Sequence, residues 1–168
     1  MESSMKLIDI YNKLLNKKDK IRIGDIVLEF WENRSLFSIG NCKNDKEHGE
    51  WKWFYVNGNL EWIGNYEKGR EHGEWKEFHE NGDLYQIENY RNGKRHGEKK
   101  WFWRNGNLES IINYKDGKRH GESRGFWENG NLREIGNYKN GEINGEWKWF
   151  DKNGNFRKIK NYKKWKNF

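Results

Sequence analysis

Short runs of alternating apolar and polar residues recur along this chain, with the period of two that is typical of β-strands. Residues 50–55 (Glu-Trp-Lys-Trp-Phe-Tyr) are rich in strand-forming aromatic residues, and residues 60–66 (Leu-Glu-Trp-Ile-Gly-Asn-Tyr) resemble a returning strand. Asn57-Gly58 lies between them, and both residue types tolerate the positive φ angles of a type I′ turn. The pattern therefore predicts a β-hairpin closed by a type I′ turn.

This hairpin is one copy of a repeat with a period of 24 residues, the spacing from His48 to His72. The tripeptide His-Gly-Glu begins at His48, His72, His96 and His120, and Asn144 begins a last copy of the same segment. A degenerate copy that includes Phe30 and Ile39 comes first, so about six repeats fill residues 25–168. Because a lone hairpin is not stable in water, we expect these hairpins to stack into one elongated, twisted antiparallel sheet of the all-β class.

Residues 1–24 do not follow the repeat. Ile8, Tyr11, Leu14 and Leu15 fall at helical spacing, with polar residues between them. The spacing predicts a short N-terminal α-helix that caps the first edge of the sheet, as repeat arrays require. A helix that docks on a partner is the alternative.

The composition fits a shallow sheet. Only 33% of the residues are hydrophobic, but 17% are aromatic and 11 are Trp, whereas Ala is absent. Disordered chains are poor in aromatic residues, and helical bundles are normally rich in Ala. The single cysteine, Cys42, excludes an internal disulfide framework. There is no run of about 18 apolar residues and no signal-like N-terminus, so we expect a cytoplasmic protein.

Pairing Tyr55 with Leu60 across the turn divides each hairpin into two faces. One face repeats almost unchanged, as stacking requires, and alternates Glu with Lys or Arg beside two apolar columns. These columns are Phe54, Phe78, Phe102, Phe126 and Phe150, and Ile63, Ile87, Ile111, Ile135 and Ile159. The other face carries most of the tryptophans and varies from repeat to repeat.

Stacking does not need this variation, so the tryptophan-bearing face is the expected recognition surface. The candidate partner-binding residues are Trp53, Trp62, Trp101, Trp103, Trp127 and Trp149. In the alternative interpretation, a curved sheet folds over these tryptophans and makes them its only core. Both interpretations hold if some tryptophans are packed and others are exposed.

The net charge of +7 makes nucleic acid, anionic lipid or an acidic protein plausible partners. Cations cluster where one hairpin connects to the next, at Arg70, Arg91, Lys94, Arg95, Lys118, Arg119 and Lys139. These connections share one edge of the sheet, so we expect equivalent charges within about 10 Å of each other. Cations beside aromatic residues are the usual means of binding single-stranded nucleic acid. Glu47 and Glu71 dilute this basic edge, and a solvated edge is the alternative.

The repeated histidines are better explained as turn residues than as catalytic groups or metal ligands. An equivalent His-Gly-Glu in each of four repeats argues against one special catalytic arrangement, and Asn144 replaces the histidine in the last copy. No catalytic triad, phosphate loop or HExxH motif is present. We therefore predict no catalytic residues, no metal and no cofactor, and a structural role for Cys42.

Residues 114–132 carry Tyr-x-x-Gly-Lys-Arg-His-Gly-Glu followed by aromatic residues and Asn-Gly-x-Leu. This pattern resembles the MORN repeat, most closely the bacterial variant found in YwqK-family antitoxin-like proteins, and the likeness covers residues 25–168. The resemblance implies an extended sheet of β-hairpins that serves as a binding scaffold. Partner proteins or phospholipids are proposed for different members of the family.

These observations together predict a non-enzymatic protein that binds and neutralises a toxin or effector protein, in an antitoxin-like or immunity-like role. The alternative is an inhibitor that binds RNA in a host nucleoprotein, such as an RNA-guided nuclease targeted by a phage or mobile element. A phospholipid-binding scaffold comes third, because no basic amphipathic helix or acyl anchor accompanies the sheet.

Overall fold

The computed structural model describes residues 20–162, and all regular structure in this range is β-strand. The strands are β1 (Lys20–Ile23), β2 (Ile26–Phe30), β3 (Leu36–Lys43), β4 (Lys46–Phe54), β5 (Leu60–Glu67), β6 (Arg70–Phe78), β7 (Leu84–Arg91), β8 (Lys94–Arg95), β9 (Gly97–Phe102), β10 (Leu108–Lys115), β11 (Lys118–Phe126), β12 (Leu132–Lys139), β13 (Glu142–Ile143), β14 (Gly145–Phe150) and β15 (Phe156–Tyr162). The predicted all-β class is confirmed. The predicted helix falls on residues 4–19, outside the described residues.

All fifteen strands form one open antiparallel sheet in which neighbours in sequence are neighbours in space. The short strands β8 and β13 are the first parts of interrupted strands and pair with β7 and β12. Six hairpins result, one for each predicted repeat: β2–β3, β4–β5, β6–β7, β9–β10, β11–β12 and β14–β15. Strand β1 pairs with β2, so the sheet begins at Lys20, inside the segment 1–24 predicted as a helical cap.

Two kinds of turn alternate along the sheet, and the type I′ prediction for Asn57-Gly58 is wrong. The N–H of Gly58 donates to the carbonyl of Tyr55 (2.9 Å), and in this loop only Gly58 has a positive φ, of 87°. This geometry fits a type I turn followed by a left-handed glycine. The Asn57 side chain accepts a hydrogen bond from the N–H of Asn59 (2.9 Å). Asn57 therefore stabilises the loop with its side chain, without a positive φ.

The type I′ turns lie at the connections between hairpins. Lys68 and Gly69 both have positive φ angles, of 54° and 75°, and the flanking residues Glu67 and Arg70 are paired. Equivalent pairs with positive φ recur at Asn92-Gly93, Asp116-Gly117 and Asn140-Gly141. The N–H of Gly69 donates to the carbonyl of Glu47 (2.9 Å), which ties this turn to the preceding one.

The predicted register holds along the body of each hairpin but not next to the turn. Trp53 lies opposite Trp62, as the sequence pairing requires. Beyond this pair the register shifts, so Phe54, and not Tyr55, lies opposite Leu60. The extra residue is Glu61, which forms a β-bulge. The bulge recurs in every hairpin. The two predicted faces hold along the body of each hairpin, but the assignment of Leu60 to the tryptophan-bearing face is wrong, because its pairing with Phe54 puts it on the opposite face.

The tryptophan-bearing face, which we call the aromatic face, contains the core of the protein. One cross-strand row on it, the core row, consists of Val27, Gly40, Trp51, Gly64, Trp75, Glu88, Lys99, Ile112, Ser123, Gly136, Trp147 and Lys160. The buried apolar side chains of the described residues all belong to it: Val27, Trp51, Trp75 and Trp147. The alternative in which tryptophans form the core is therefore correct for three of them, none of which is among the six candidate binding residues.

The opposite face bears the Phe and Ile columns and a regular set of ion pairs. Lys52 contacts Glu50 (2.9 Å), Lys76 contacts Glu74 (3.0 Å), and the same pairing recurs in the next three repeats. These pairs are largely exposed, so each contributes little to stability. No side chain on this face is buried within residues 20–162. It is a repetitive, solvated surface.

Candidate binding face

Four of the six candidate tryptophans lie in one line across the aromatic face, next to the core row. This tryptophan row consists of Ser38, Trp53, Trp62, Glu77, Gln86, Trp101, Ser110, Gly125, Glu134, Trp149 and Lys158. Trp53, Trp62, Trp101 and Trp149 are only partly buried. They therefore combine a packed edge with an accessible ring surface, which suits a binding residue.

The other two candidates, Trp103 and Trp127, lie at the edge formed by the Asn-Gly turns. The indole N–H of Trp127 donates to the carbonyl of Phe150 (3.2 Å), in the next hairpin. Trp31 bonds Phe54 in the same way (3.0 Å). The indole nitrogen of Trp103 is buried and has no hydrogen-bond partner among the described residues. At this position the indole hydrogen bond joins one hairpin to the next. Trp127 therefore has a structural role that the sequence did not indicate.

A groove with a volume of about 470 Å³ opens on the N-terminal half of the aromatic face. This N-terminal groove is lined by Trp31, Phe37, Trp53, Glu61, Trp62, Glu71, Trp75, Glu88 and Tyr90. Within it, the Trp53 and Trp75 ring centroids are 5.4 Å apart, and the Trp62 and Trp75 rings meet at 61°. The walls are therefore aromatic rings held by mutual contact, so the groove is built in advance of binding.

Three carboxylates, those of Glu61, Glu71 and Glu88, line this groove. Burial raises the pKa of the nearby Glu77, a hydrogen bond from Gln86 and the charge of Lys99 act in the opposite direction, and the charges of Glu61 and Glu88 add to the rise. Burial also raises the pKa of Tyr66 to about 12, with contributions from Glu71 and Glu47. Burial is the main cause of both shifts, and neighbouring carboxylates add to it.

A buried polar cluster forms the floor of the groove. The Glu88 carboxylate is 2% exposed and accepts hydrogen bonds from Tyr90 Oη (2.8 Å) and Arg95 Nε (2.7 Å). Lys99 Nζ contacts it at 3.0 Å. Burial by itself would raise the pKa of Glu88, but these hydrogen bonds and the Lys99 charge outweigh burial, so the pKa is lowered. Glu88 is therefore ionised and neutralised within the protein.

The predicted basic edge is exposed but interrupted. Arg70, Arg91, Lys94, Arg95, Lys118, Arg119 and Lys139 are all exposed and flank the type I′ turns. Arg95 is bound to Glu88, Arg91 contacts Asp116 (3.3 Å), and the Arg119 guanidinium lies 5.3 Å from the centre of the Tyr138 ring. The edge is therefore not a continuous stripe of free cations, because the fold commits several of its arginines to internal partners.

Cations meet tryptophans elsewhere, at the C-terminal end of the aromatic face. Lys158 Nζ lies 4.5 Å from the centre of the Trp149 ring, and Lys160 Nζ lies 4.7 Å from that of Tyr162. Arg133 and Lys152 approach the Trp127 ring at 5.8 Å and 5.7 Å. We call these seven residues the C-terminal cation–aromatic cluster. Sequence reasoning missed it, although the basic run 157–160 (Arg-Lys-Ile-Lys) was a visible signal.

The histidines of the repeated His-Gly-Glu segment lie beside β-bulges at the type I′ edge, whereas His79 lies at the Asn81-Gly82 turn. The N–H of His96 donates to the carbonyl of Asn89 (2.8 Å), and the following Gly97 has a φ of 97°. Residues 20–162 contain no group of three or more His, Cys, Asp or Glu side chains that could hold a metal ion. Burial raises the pKa of the Cys42 thiol, which makes it a weaker nucleophile.

Membrane insertion through a helix finds no support in the described part of the chain, because no helix there is long and apolar enough to span a bilayer.

Comparison with protein families finds a match to the family described as MORN repeat variant, at residues 47–68, 71–92, 95–116, 119–140 and 143–164. These segments correspond to the last five hairpins. The hairpin β2–β3 precedes the matched residues and has the same bulge and turn as the others, whereas its membership of the family as a degenerate first repeat stays a prediction. A comparison with curated proteins finds no match.

Two similar solved structures are those of TarM. One, a Staphylococcus aureus TarM mutant in complex with fondaparinux, alpha-GlcNAc-glycerol and UDP, is 13% identical over 83% of this chain, with a TM-score of 0.31. The other, TarM, is 12% identical over 83% of this chain, with a TM-score of 0.32. This chain spans 23% of the length of each. At these TM-scores the likeness carries no argument about function.

Proposed function

This chain belongs to the MORN repeat variant family, and we propose that it is a non-enzymatic cytoplasmic binding protein that neutralises a partner protein, in the manner of an antitoxin or immunity protein. The partner binds the aromatic face. The observation that carries this proposal is the N-terminal groove, whose aromatic side chains other than the buried Trp75 remain partly exposed. Exposed aromatic residues in a preformed groove are typical anchors of protein interfaces.

The difference in sequence variation between the two faces of the sheet supports this proposal. The Phe/Ile face is nearly identical in every repeat, whereas the aromatic face changes between repeats. In the tryptophan row, the position of Trp53 is occupied by Glu77, Trp101, Gly125 and Trp149 in later repeats. A surface whose chemistry varies along its length distinguishes one partner from another, whereas a uniform ladder does not.

The proposal is tested by placing a photo-crosslinking amino acid at position 62, on the aromatic face, in cells of the native host. Position 63 is the matched control, because Ile63 is adjacent, similarly buried and on the opposite face. We expect one defined protein adduct from position 62 and none from position 63. Equal adducts from both positions, or no adduct from position 62, would contradict binding through the aromatic face.

The neutralising role is tested with the partner identified in this way. Purified chain is added to the purified partner, and the activity of the partner is measured. We expect inhibition by the unaltered chain and weaker inhibition by Trp62→Ala. Binding without any loss of partner activity would contradict the antitoxin-like part of the proposal and leave only the binding function.

Binding of single-stranded RNA is a second candidate, and the C-terminal cation–aromatic cluster favours it. Lysines placed over Trp149 and Tyr162 combine phosphate-binding charge with rings on which bases stack. The same crosslinking experiment includes position 149. An RNA adduct at this position that disappears as salt is raised would support the second candidate, because phosphate contacts weaken with salt. A protein adduct there would favour the first.

A further inference from the structure

The N-terminal groove differs from the C-terminal end of the same face in its charged neighbours. Glu61 and Glu71 line the groove, whereas at the C-terminal end Lys158 lies over the Trp149 ring, whose indole N–H donates to Glu134. We propose that the N-terminal groove binds an extended peptide segment of the partner protein through that segment's arginine or lysine side chains. This inference rests on the proposed function and names the chemistry of the partner segment.

Two groove carboxylates, Glu61 and Glu71, form no ion pair with any residue that the structure describes. Among the ion pairs of residues 20–162, none includes Glu61 or Glu71, whereas Glu88 is neutralised by Arg95 and Lys99. Both are only partly exposed. A cation that enters the groove can therefore form an ion pair with either carboxylate while its side chain packs on the neighbouring aromatic rings.

The repeat itself shows how a cation fits on this surface. Trp149 and Trp53 occupy equivalent positions, and the cross-strand neighbour of Trp149 is Lys158, whose ammonium lies over the ring at 4.5 Å. Lys99 lies over Trp101 at the same distance. The position equivalent to Lys158 in the second hairpin is Trp62, opposite Trp53. The groove therefore keeps the aromatic half of a cation–π pair and lacks the internal cation.

Arginine fits this groove better than lysine. Trp53 and Trp75 lie nearly parallel, at 30°, while Trp62 meets Trp75 at 61°. A planar guanidinium can stack on an indole ring and at the same time donate two hydrogen bonds to a carboxylate such as Glu61. An ammonium group satisfies either contact but does not match the planar geometry. We therefore expect an arginine-containing segment to bind more tightly.

The inference is tested by isothermal titration calorimetry with a short synthetic peptide of alternating Arg and Gly. Matched peptides contain Lys or Glu in place of Arg. We expect binding in the order Arg, Lys, Glu, with no detectable binding of the Glu peptide. Glu61→Gln and Glu71→Gln should each weaken binding of the Arg peptide by about three- to tenfold. The matched control is Glu109→Gln, which alters the same bulge position outside the groove.

A second variant transfers the arrangement of the last hairpin into the groove. Trp62→Lys places a lysine opposite Trp53, as Lys158 lies opposite Trp149. We expect this internal cation to occupy the groove and abolish peptide binding. The fold should be retained, which circular dichroism and thermal unfolding check. If Trp62→Lys remains folded and binds the Arg peptide as tightly as the unaltered chain, or if the Glu peptide binds equally well, the inference is wrong.

The outcomes separate this inference from the proposed function. If the crosslink from position 62 still identifies a protein partner but no cationic peptide binds, the partner uses the aromatic face through other chemistry, and only the inference fails. If neither occurs, the proposed function fails as well.

Discussion

At the scale of single residues, the core of this protein is built from complementary pairs across neighbouring strands. Trp75 lies against Gly64, where a Cβ atom would be 2.1 Å from the indole ring, and Trp51 lies against Gly40 in the same way. In the two repeats that lack this Gly–Trp pair, both positions carry other residues. Lys99 faces Glu88 in one of them, and Ser123 faces Ile112 in the other. The volume or charge of one residue therefore determines which residue the neighbouring strand can carry.

We predict that Gly64→Ala lowers the free energy of unfolding by about 1–3 kcal/mol, because the new methyl group displaces the Trp75 ring. The measurement is chemical denaturation followed by circular dichroism. Gly125→Ala is the control, since the atoms nearest to its Cβ position, at 3.0 Å, belong to the flexible side chains of Arg133 and Glu134. Equal losses in the two variants would show that close packing on Trp75 is not the cause.

At the scale of strands, the buried cluster on Glu88 joins three of them. Glu88 and Tyr90 belong to β7, Arg95 to β8 and Lys99 to β9. Strands β8 and β9 are two parts of one strand that is interrupted at His96. The contacts of Arg95 and Lys99 with Glu88 therefore stabilise the point where the backbone pairing is broken. A buried charge that loses its partners is strongly destabilising, which makes this cluster sensitive to substitution.

We predict that Glu88→Gln lowers the free energy of unfolding at neutral pH by about 3–5 kcal/mol. The pKa of Glu88 is lowered in the fold, so the unfolded state binds more protons and the Glu88 contribution is lost as pH falls below about 4.5. Denaturation at a series of pH values should therefore show a flatter acid limb for Glu88→Gln than for the unaltered chain.

Glu77→Gln is the control, because the pKa of Glu77 is shifted in the opposite direction to that of Glu88. The pKa of Glu77 is raised, so the folded state binds more protons and its contribution favours the fold as pH falls. This variant should steepen the net loss of stability in acid. An unchanged acid limb in both variants would contradict the assignment of these charges.

At the scale of the whole molecule, the sheet is a linear array in which each hairpin contacts its neighbours only. The side chains are buried to different extents along the sheet. In β7 the core-row and tryptophan-row residues are buried, whereas six of the seven residues of β15 are exposed. Stability in such an array is a sum of local terms, so its ends open more readily than its centre. The charged neighbours of the aromatic rings also differ along the face, with Glu61 and Glu71 in the N-terminal groove and both Lys158 and Glu134 beside Trp149 at the C-terminal end.

We predict that backbone amides in β15 exchange with deuterium at least about tenfold faster than those in β7, because local opening at an end breaks fewer buried contacts. Hydrogen exchange followed by mass spectrometry measures both strands in one experiment. Equal protection in β7 and β15 would indicate that the array unfolds only as one unit.

The sequence by itself determined the repeat, the hairpins and the two faces, because a strand alternates its side chains whatever its surroundings. It also determined that Trp53 lies opposite Trp62. It did not determine the turn at Asn57-Gly58, since Asn-Gly suits more than one turn type and the bulge at Glu61 selects among them. Only the tertiary structure decided which face is buried, because both faces carry large apolar side chains. Only the tertiary structure showed the ammonium of Lys158 over the Trp149 ring, and Trp53 and Trp62 beside carboxylates that have no cation among the described residues, since these contacts depend on side-chain conformation as well as on register.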